Sequence, residues 1–130
     1  SLHDALPIWH PLTVQVTEGL VCCGDEYAVR QLTSILLDNA VKYAAPDSPI
    51  TLTLEKSRRG VVLRTTNRCE DAAHIDTAKL FDRFYRADPS RTAGGFGIGL
   101  SIARSIAEGH RGSISAAVDG DTITFTAELR

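Results

Sequence analysis

The stretch Gly94-Gly95-Phe96-Gly97-Ile98-Gly99-Leu100 limits this chain more than any other part of it. Glycine gives up the most backbone freedom on ordering, so a run this rich in it is stable neither as helix nor as strand. Directly afterwards Leu100, Ile102, Ala103, Ile106 and Ala107 recur at the spacing of a helix face. The chain therefore passes from a loop almost without side chains into a helix start. Such a junction offers free backbone N–H groups and a partial positive charge, and the missing side chains let an anion come close. No Gly-Lys-Ser/Thr follows, so the stretch is not a P-loop. No buried strand leads directly into it, which separates it from a dinucleotide fingerprint. An ordinary surface loop fits the same residues, so the partners of any phosphate site must be sought upstream.

A chain of 130 residues implies one domain with a workable core. With 43% hydrophobic and 23% charged residues, the composition is that of a globular protein. A net charge of −2 gives no bulk attraction to nucleic acid or to an anionic membrane surface. No apolar run approaches the roughly 20 residues that span a bilayer, and no secretory signal is evident. Cys22, Cys23 and Cys69 are an odd set with an adjacent pair and no Cys-x-x-Cys. They read as reduced thiols, which fits a cytosolic compartment. His3, His10, His74 and His110 form no metal-spaced cluster.

Residues 1–10 do not share the pattern of the rest of the chain and read as a linker or a foreign segment; the domain proper is 11–130. Leu12–Val16 alternates as a strand, and Leu20–Cys23 is a second short apolar run. Asp25 is placed to cap a helix from Glu26 to about Ala44. Val29, Leu32, Ile35, Leu36 and Ala40 mark its buried face. Asn39 lies on or beside that face, where a poor interior helix former implies a polar partner. Lys42 and Tyr43 come one turn later. Ile50–Leu54 and Val61–Thr66 form a hairpin around Ser57–Gly60, with Asn67 at its end. Phe81 and Phe84, one helical turn apart, read as an aromatic anchor. Ala87–Ala93 is small and polar. The helix after the glycines stops near Gly109, and Asp119-Gly120-Asp121 joins strands 113–118 and 122–129. The order predicts an α+β fold, a two-layer α/β sandwich whose mixed, mainly antiparallel sheet carries its helices on one face.

Leu36-Leu-Asp-Asn-Ala-Val-Lys-Tyr43 resembles the N box of the ATP-binding catalytic domain of bacterial sensor histidine kinases. Phe81-Asp-Arg-Phe-Tyr-Arg86 is similar to the F box of that family, and Gly95-Phe-Gly-Ile-Gly-Leu100 to its G2 box. The superfamily includes DNA gyrase, Hsp90 and MutL and has the Bergerat form of the sandwich; the resemblance covers about residues 11–130. It implies that Asn39 coordinates the Mg²⁺ that bridges the phosphates of ATP, as an oxygen ligand suits a hard cation. Lys42 would pair with phosphate, and Tyr43 would line the pocket. Gly95, Gly97 and Gly99, with Leu100 after them, would meet the phosphates. Tyr85 and Arg86 would flank a mobile lid, with Arg86 steadying the transferring phosphoryl group. The family's histidine acceptor sits on a separate helical dimerisation domain. No such domain precedes residue 10, and neither His3 nor His10 sits in a long amphipathic helix, so the expectation is Mg-ATP binding without self-phosphorylation. A response regulator downstream, a two-component signalling role and a cytoplasmic position in a membrane-anchored bacterial sensor are implied by the same resemblance. No contact of this domain with nucleic acid or membrane is expected.

Two positions depart from the family. Its G1 box reads Asp-x-Gly-x-Gly, whereas counting back from Phe81 puts Asn67 at the Asp and Cys69 and Asp71 at the glycines. Asn67 accepts without a charge and also carries a donor, so the expectation is weaker adenine binding and less rejection of guanine. The altered box also raises the alternative of a degenerate, non-catalytic regulatory module. Ile35 stands where the gyrase branch has a water-activating Glu, and isoleucine is no general base, which favours the kinase branch.

Overall fold

A computed structural model describes residues 10–17, 19, 24–83, 85 and 99–130. Its elements are β1 (Leu12–Val16), α1 (Glu26–Tyr43), β2 (Ile50–Lys56), β3 (Val61–Arg68), a short 3₁₀ turn (Ala72–His74), α2 (Gly99–Gly109), β4 (Ser113–Asp119) and β5 (Thr122–Leu129). The strands form one five-stranded sheet in the order β1-β2-β3-β5-β4. Only β1 pairs in parallel, with β2. The other neighbours are antiparallel. The expected mixed sheet with helices on one face is what forms. The apolar run Leu20–Cys23, residues 1–9 and the Ala87–Ala93 stretch lie outside the described residues.

Alternation along the strands decides which face is covered. Leu52, Thr65 and Phe125 are successive cross-strand partners, as are Ile50, Asn67 and Ile123. These residues point to the helices, with Phe125 fully buried and Ile123 1% exposed. The opposite face carries Thr51, Thr66 and Thr124, of which the last two share a hydroxyl contact of 3.3 Å. Leu12, Val14 and Val16 share the helix-facing register of β2. They stay about half exposed because β1 is the sheet edge.

Asp25 caps α1 as its position implies, its Oδ1 accepting from the N–H groups of Tyr27 at 2.9 Å and Ala28 at 3.4 Å. That satisfies two of the four N–H groups a helix start leaves open. Leu32, Leu36 and Ala40 are fully buried on its sheet-facing side. α2 buries Ala103 and Ala107 completely, residues small enough to bring the helix close to β5. Leu80 and Phe81 close the core below the sheet end, and the Phe81 ring stands edge-on to Phe125 with centroids 6.2 Å apart. That edge-to-face arrangement places the positive ring edge on the negative ring face. The aromatic anchor therefore exists through Phe81; Phe84 lies outside the described residues.

Candidate nucleotide site

The candidate site lies where the ends of three elements meet, α1, β3 and α2. The C-terminal end of α1 is tied to the end of β3 by the Ala45 N–H, which donates to the Arg68 carbonyl at 2.7 Å. Ala40 and Ala44 pack on Ile50, and Ile50 pairs across the sheet with Asn67. Asn67 thus sits on the helix-facing side of β3, under the last turns of α1. At the other side of α1, the methyl Cγ2 of Ile35 lies 3.5 Å from the point where a side chain on Gly99 would begin. The first residue of α2 is therefore in contact range of the helical turn that precedes Asn39.

Near these anchors lie buried polar atoms that have no partner among the described residues. Asn39 is 8% exposed and its Nδ2 is buried without a partner among the described residues. Asn67 is 2% exposed; its Nδ2 donates to the Arg68 carbonyl at 2.9 Å, while its Oδ1 is buried and has no partner among the described residues. Thr65, completely buried two residues earlier on the same face, leaves its hydroxyl in the same unpaired condition. An unmade hydrogen bond on a buried group costs about 1–3 kcal/mol, so these groups, one on α1 and two on β3, mark where a polar ligand would be welcome. Sequence reasoning missed Thr65. Counting back by two from Asn67 along β3 is the signal that finds it.

Lys42 and Tyr43 are half-buried at the end of α1, and Tyr43 packs against the core. Tyr85 and Leu100 also pack against that core from their own segments. Gly99 and Leu100 begin α2, so their N–H groups belong to the helix start, where an intrahelical acceptor is lacking. Arg86, Gly95 and Gly97 lie outside the described residues. Cys69 is buried at 5% exposure and Asp71 is exposed, so the two positions where the family has glycine differ in environment.

Mg²⁺ is a fit for this site in chemistry. Asn39 brings one amide oxygen, and among the described residues no group of three or more His, Cys, Asp or Glu side chains could hold a metal ion alone. Mg²⁺ is commonly held by few protein oxygens together with nucleotide phosphates and water, and such a site needs no protein cage. Among the described residues no helix is long and apolar enough to cross a membrane.

Comparison with known proteins gives this geometry its context. The family model for histidine kinase-, DNA gyrase B- and HSP90-like ATPases matches residues 24–130. The probable sensor protein PcoS of Escherichia coli is 39% identical over 137 residues, covering 99% of this chain and 29% of that protein. The sensor histidine kinase YkoH of Bacillus subtilis is 40% identical over 95 residues, covering 72% of this chain and 20% of that protein. The chain thus spans less than a third of the length of these relatives. Among solved structures, a mycobacterial sensor histidine kinase, MprB, superposes with a TM-score of 0.76 at 23% identity, over 92% of this chain and 84% of that one. The catalytic domain of the histidine kinase ThkA superposes with a TM-score of 0.73 at 24% identity, over 92% and 78%. At those identities the structures speak for the fold, and the sequence match speaks for descent. This chain belongs to the histidine kinase-, DNA gyrase B- and HSP90-like ATPase family, as an ATP-binding catalytic domain of the sensor histidine kinase kind.

Proposed function

We propose that residues 11–130 bind Mg-ATP and present its γ-phosphate to a histidine on a separate helical dimerisation domain of the same protein. The observation that carries this is the convergence of the end of α1, the end of β3 and the start of α2, with a buried donor, Asn39 Nδ2, and a buried acceptor, Asn67 Oδ1, that have no partner among the described residues.

Each residue has a role fitted to its chemistry. Asn39 would offer its amide oxygen to Mg²⁺, which when bound would offset the negative charge of the nucleotide's phosphates. Lys42 brings a point charge toward the phosphates. Tyr43 and Tyr85 contribute ring surface to the pocket wall. Asn67 accepts from the base. The N–H groups of Gly99 and Leu100, with Gly95 and Gly97 upstream, meet phosphate oxygens at the positive end of α2. Arg86 steadies the transferring phosphoryl group, whose charge spreads over its outer oxygens in a loose transition state. Ile35 offers no base to a water molecule, so transfer to a histidine is favoured over hydrolysis. A cytoplasmic place in a membrane-anchored bacterial sensor, with a response regulator downstream, accords with the kind of relatives the chain has.

The test is to join this chain to a helical phosphoacceptor domain from one of those relatives and supply ATP labelled at its γ-phosphate. Acid-labile label on the acceptor histidine, lost in Asn39→Ala, is the expected result. The chain alone takes up no label. A folded chimera that binds ATP yet leaves the histidine unlabelled would sink the kinase reading.

A further inference from the structure

Ile35 and Asn39 stand one turn apart on α1, about 6 Å along its axis, and so share a face. Ile35 is half-buried and packs against the core beside the fully buried Leu32 and Leu36. Outside the backbone of α2 and the chain neighbours, its Cγ2 is the one heavy atom among the described residues within 4 Å of where a side chain on Gly99 would begin. A branched residue inside a helix keeps one strongly preferred rotamer, so α1 itself fixes where this methyl stands. At the other end of the helix pair, the Nε2 of His110 meets the Asp25 N–H at 3.2 Å. From Asp25 to Ile35 is about 15 Å along α1, and from Gly99 to His110 about 16 Å along α2. The two helices therefore run antiparallel over matched lengths and are held at both ends. Along α2 the fully buried residues are Ala103 and Ala107, whose single methyl groups offer little to key the helix against sliding.

We propose that Ile35 is a positioning residue for nucleotide binding, whose Cγ2 methyl sets the N–H groups that open α2 against the α1 turn carrying Asn39. The proposal rests on the nucleotide-binding reading above and adds what keeps its two phosphate-side elements in register. The helix start and the Asn39 amide must meet one polyphosphate together, so a displaced α2 loses bonds to the phosphates first. The end of β3 is anchored separately, by the Ala45 N–H on the Arg68 carbonyl at 2.7 Å. Loss of the Ile35 contact is therefore felt by the phosphates of a nucleotide and not by its base. Isoleucine at this place has a task of its own beyond withholding a base from water.

The experiment uses the difference between two substitutions. Ile35→Val keeps a methyl in the place of Cγ2 and loses the far end of the side chain. Ile35→Leu keeps the volume, a swap that cores tolerate, but has one Cγ in place of two; in keeping the core contact of Cγ1 it vacates the place of Cγ2. Wild type and both variants of the full chain are titrated in Mg²⁺ with a non-hydrolysable ATP analogue and with adenosine monophosphate, and thermal melts establish that each is folded. Ile35→Leu should weaken the triphosphate about fivefold or more, with the monophosphate changed by less than about twofold. Ile35→Val should keep the wild-type ratio of the two affinities. A merely structural role predicts the reverse order, because valine removes a methylene and opens a cavity, and it weakens both ligands together. Equal triphosphate binding by the three folded chains overturns the proposal and leaves the nucleotide reading standing, as does a parallel loss of both ligands in Ile35→Leu. Failure of folded wild type to bind the triphosphate analogue removes the nucleotide reading itself, and the proposal with it.

Discussion

His110 accepts the backbone N–H of Asp25 on its Nε2 at 3.2 Å while its Nδ1 meets the Ile106 carbonyl at 2.8 Å. Since a carbonyl only accepts, Nδ1 carries the proton and Nε2 is free to receive. The ring joins the start of α1 to the end of α2, at the far end of the helix pair from Asn39. The Arg130 N–H adds the chain terminus to the same junction by donating to the His110 carbonyl at 3.0 Å.

This junction makes a double-mutant prediction. A methyl group on Gly24 would collide with Cδ2 and Nε2 of the His110 ring, which its two hydrogen bonds hold in place. Gly24→Ala should cost about 1–3 kcal/mol, and His110→Ala about 1–2 kcal/mol through the lost bonds. Together they should cost less than their sum, because removing the ring removes the collision. Urea unfolding of the four proteins measures this, and strict additivity would contradict the packing.

The edge-on pair Phe81–Phe125 predicts a second stability effect. Phe81 is 6% exposed and Phe125 fully buried, so Phe81→Ala should cost about 3–5 kcal/mol. Phe81→Leu keeps most of the volume and should cost less than about 1.5 kcal/mol. That would leave a domain of ordinary stability folded. Equilibrium denaturation tracked by circular dichroism distinguishes the two variants. A cost below about 1 kcal/mol for the alanine would mean that the F-box segment does not close this core.

Two glycines a few residues apart should respond in opposite ways. A side chain on Gly112 would run into the Glu128 carbonyl of β5, whose strand pairing holds that oxygen in place. Gly109, at the end of α2, has open space around it. Gly112→Ala should destabilise by more than about 2 kcal/mol, as a backbone clash has no cheap relaxation. Gly109→Ala should lie within about 1 kcal/mol of wild type. Thermal melts of the two variants, with reversed order as the contrary result, test the close approach of the α2–β4 corner to β5.

What could be read from the sequence and what could not divides along the range of the interactions. The Asp25 cap, the buried face of α1 through Leu32, Leu36 and Ala40, and the turn at Gly120 (φ +62°) depend on neighbours a few residues away, and they were legible. The register that sets Asn67 across from Ile50 and Ile123 depends on strands from three parts of the chain. The place of Asn67 at the end of β3 is legible, but its burial is not. Its amide donates to the Arg68 carbonyl, which also accepts the Ala45 N–H, and no local pattern brings Ala45 to that strand end. The spacing of the histidines carries no sign of the part His110 plays, because its partners are backbone groups and Asp25 lies 85 positions away. Thr65 is one of a strand's alternating residues by sequence; its burial, with no hydroxyl partner among the described residues, appears only once the helices cover that face.

The central claim is a Mg²⁺-dependent nucleotide site organised by Asn39. Calorimetric titration of the chain with a non-hydrolysable ATP analogue, with and without Mg²⁺ and beside Asn39→Ala, tests it most directly. The account predicts saturable binding that Mg²⁺ strengthens in wild type, and a loss of that strengthening in a variant that remains folded. Absence of binding at millimolar nucleotide by folded wild type, or an Asn39→Ala chain that binds Mg-ATP as well as wild type, would contradict it.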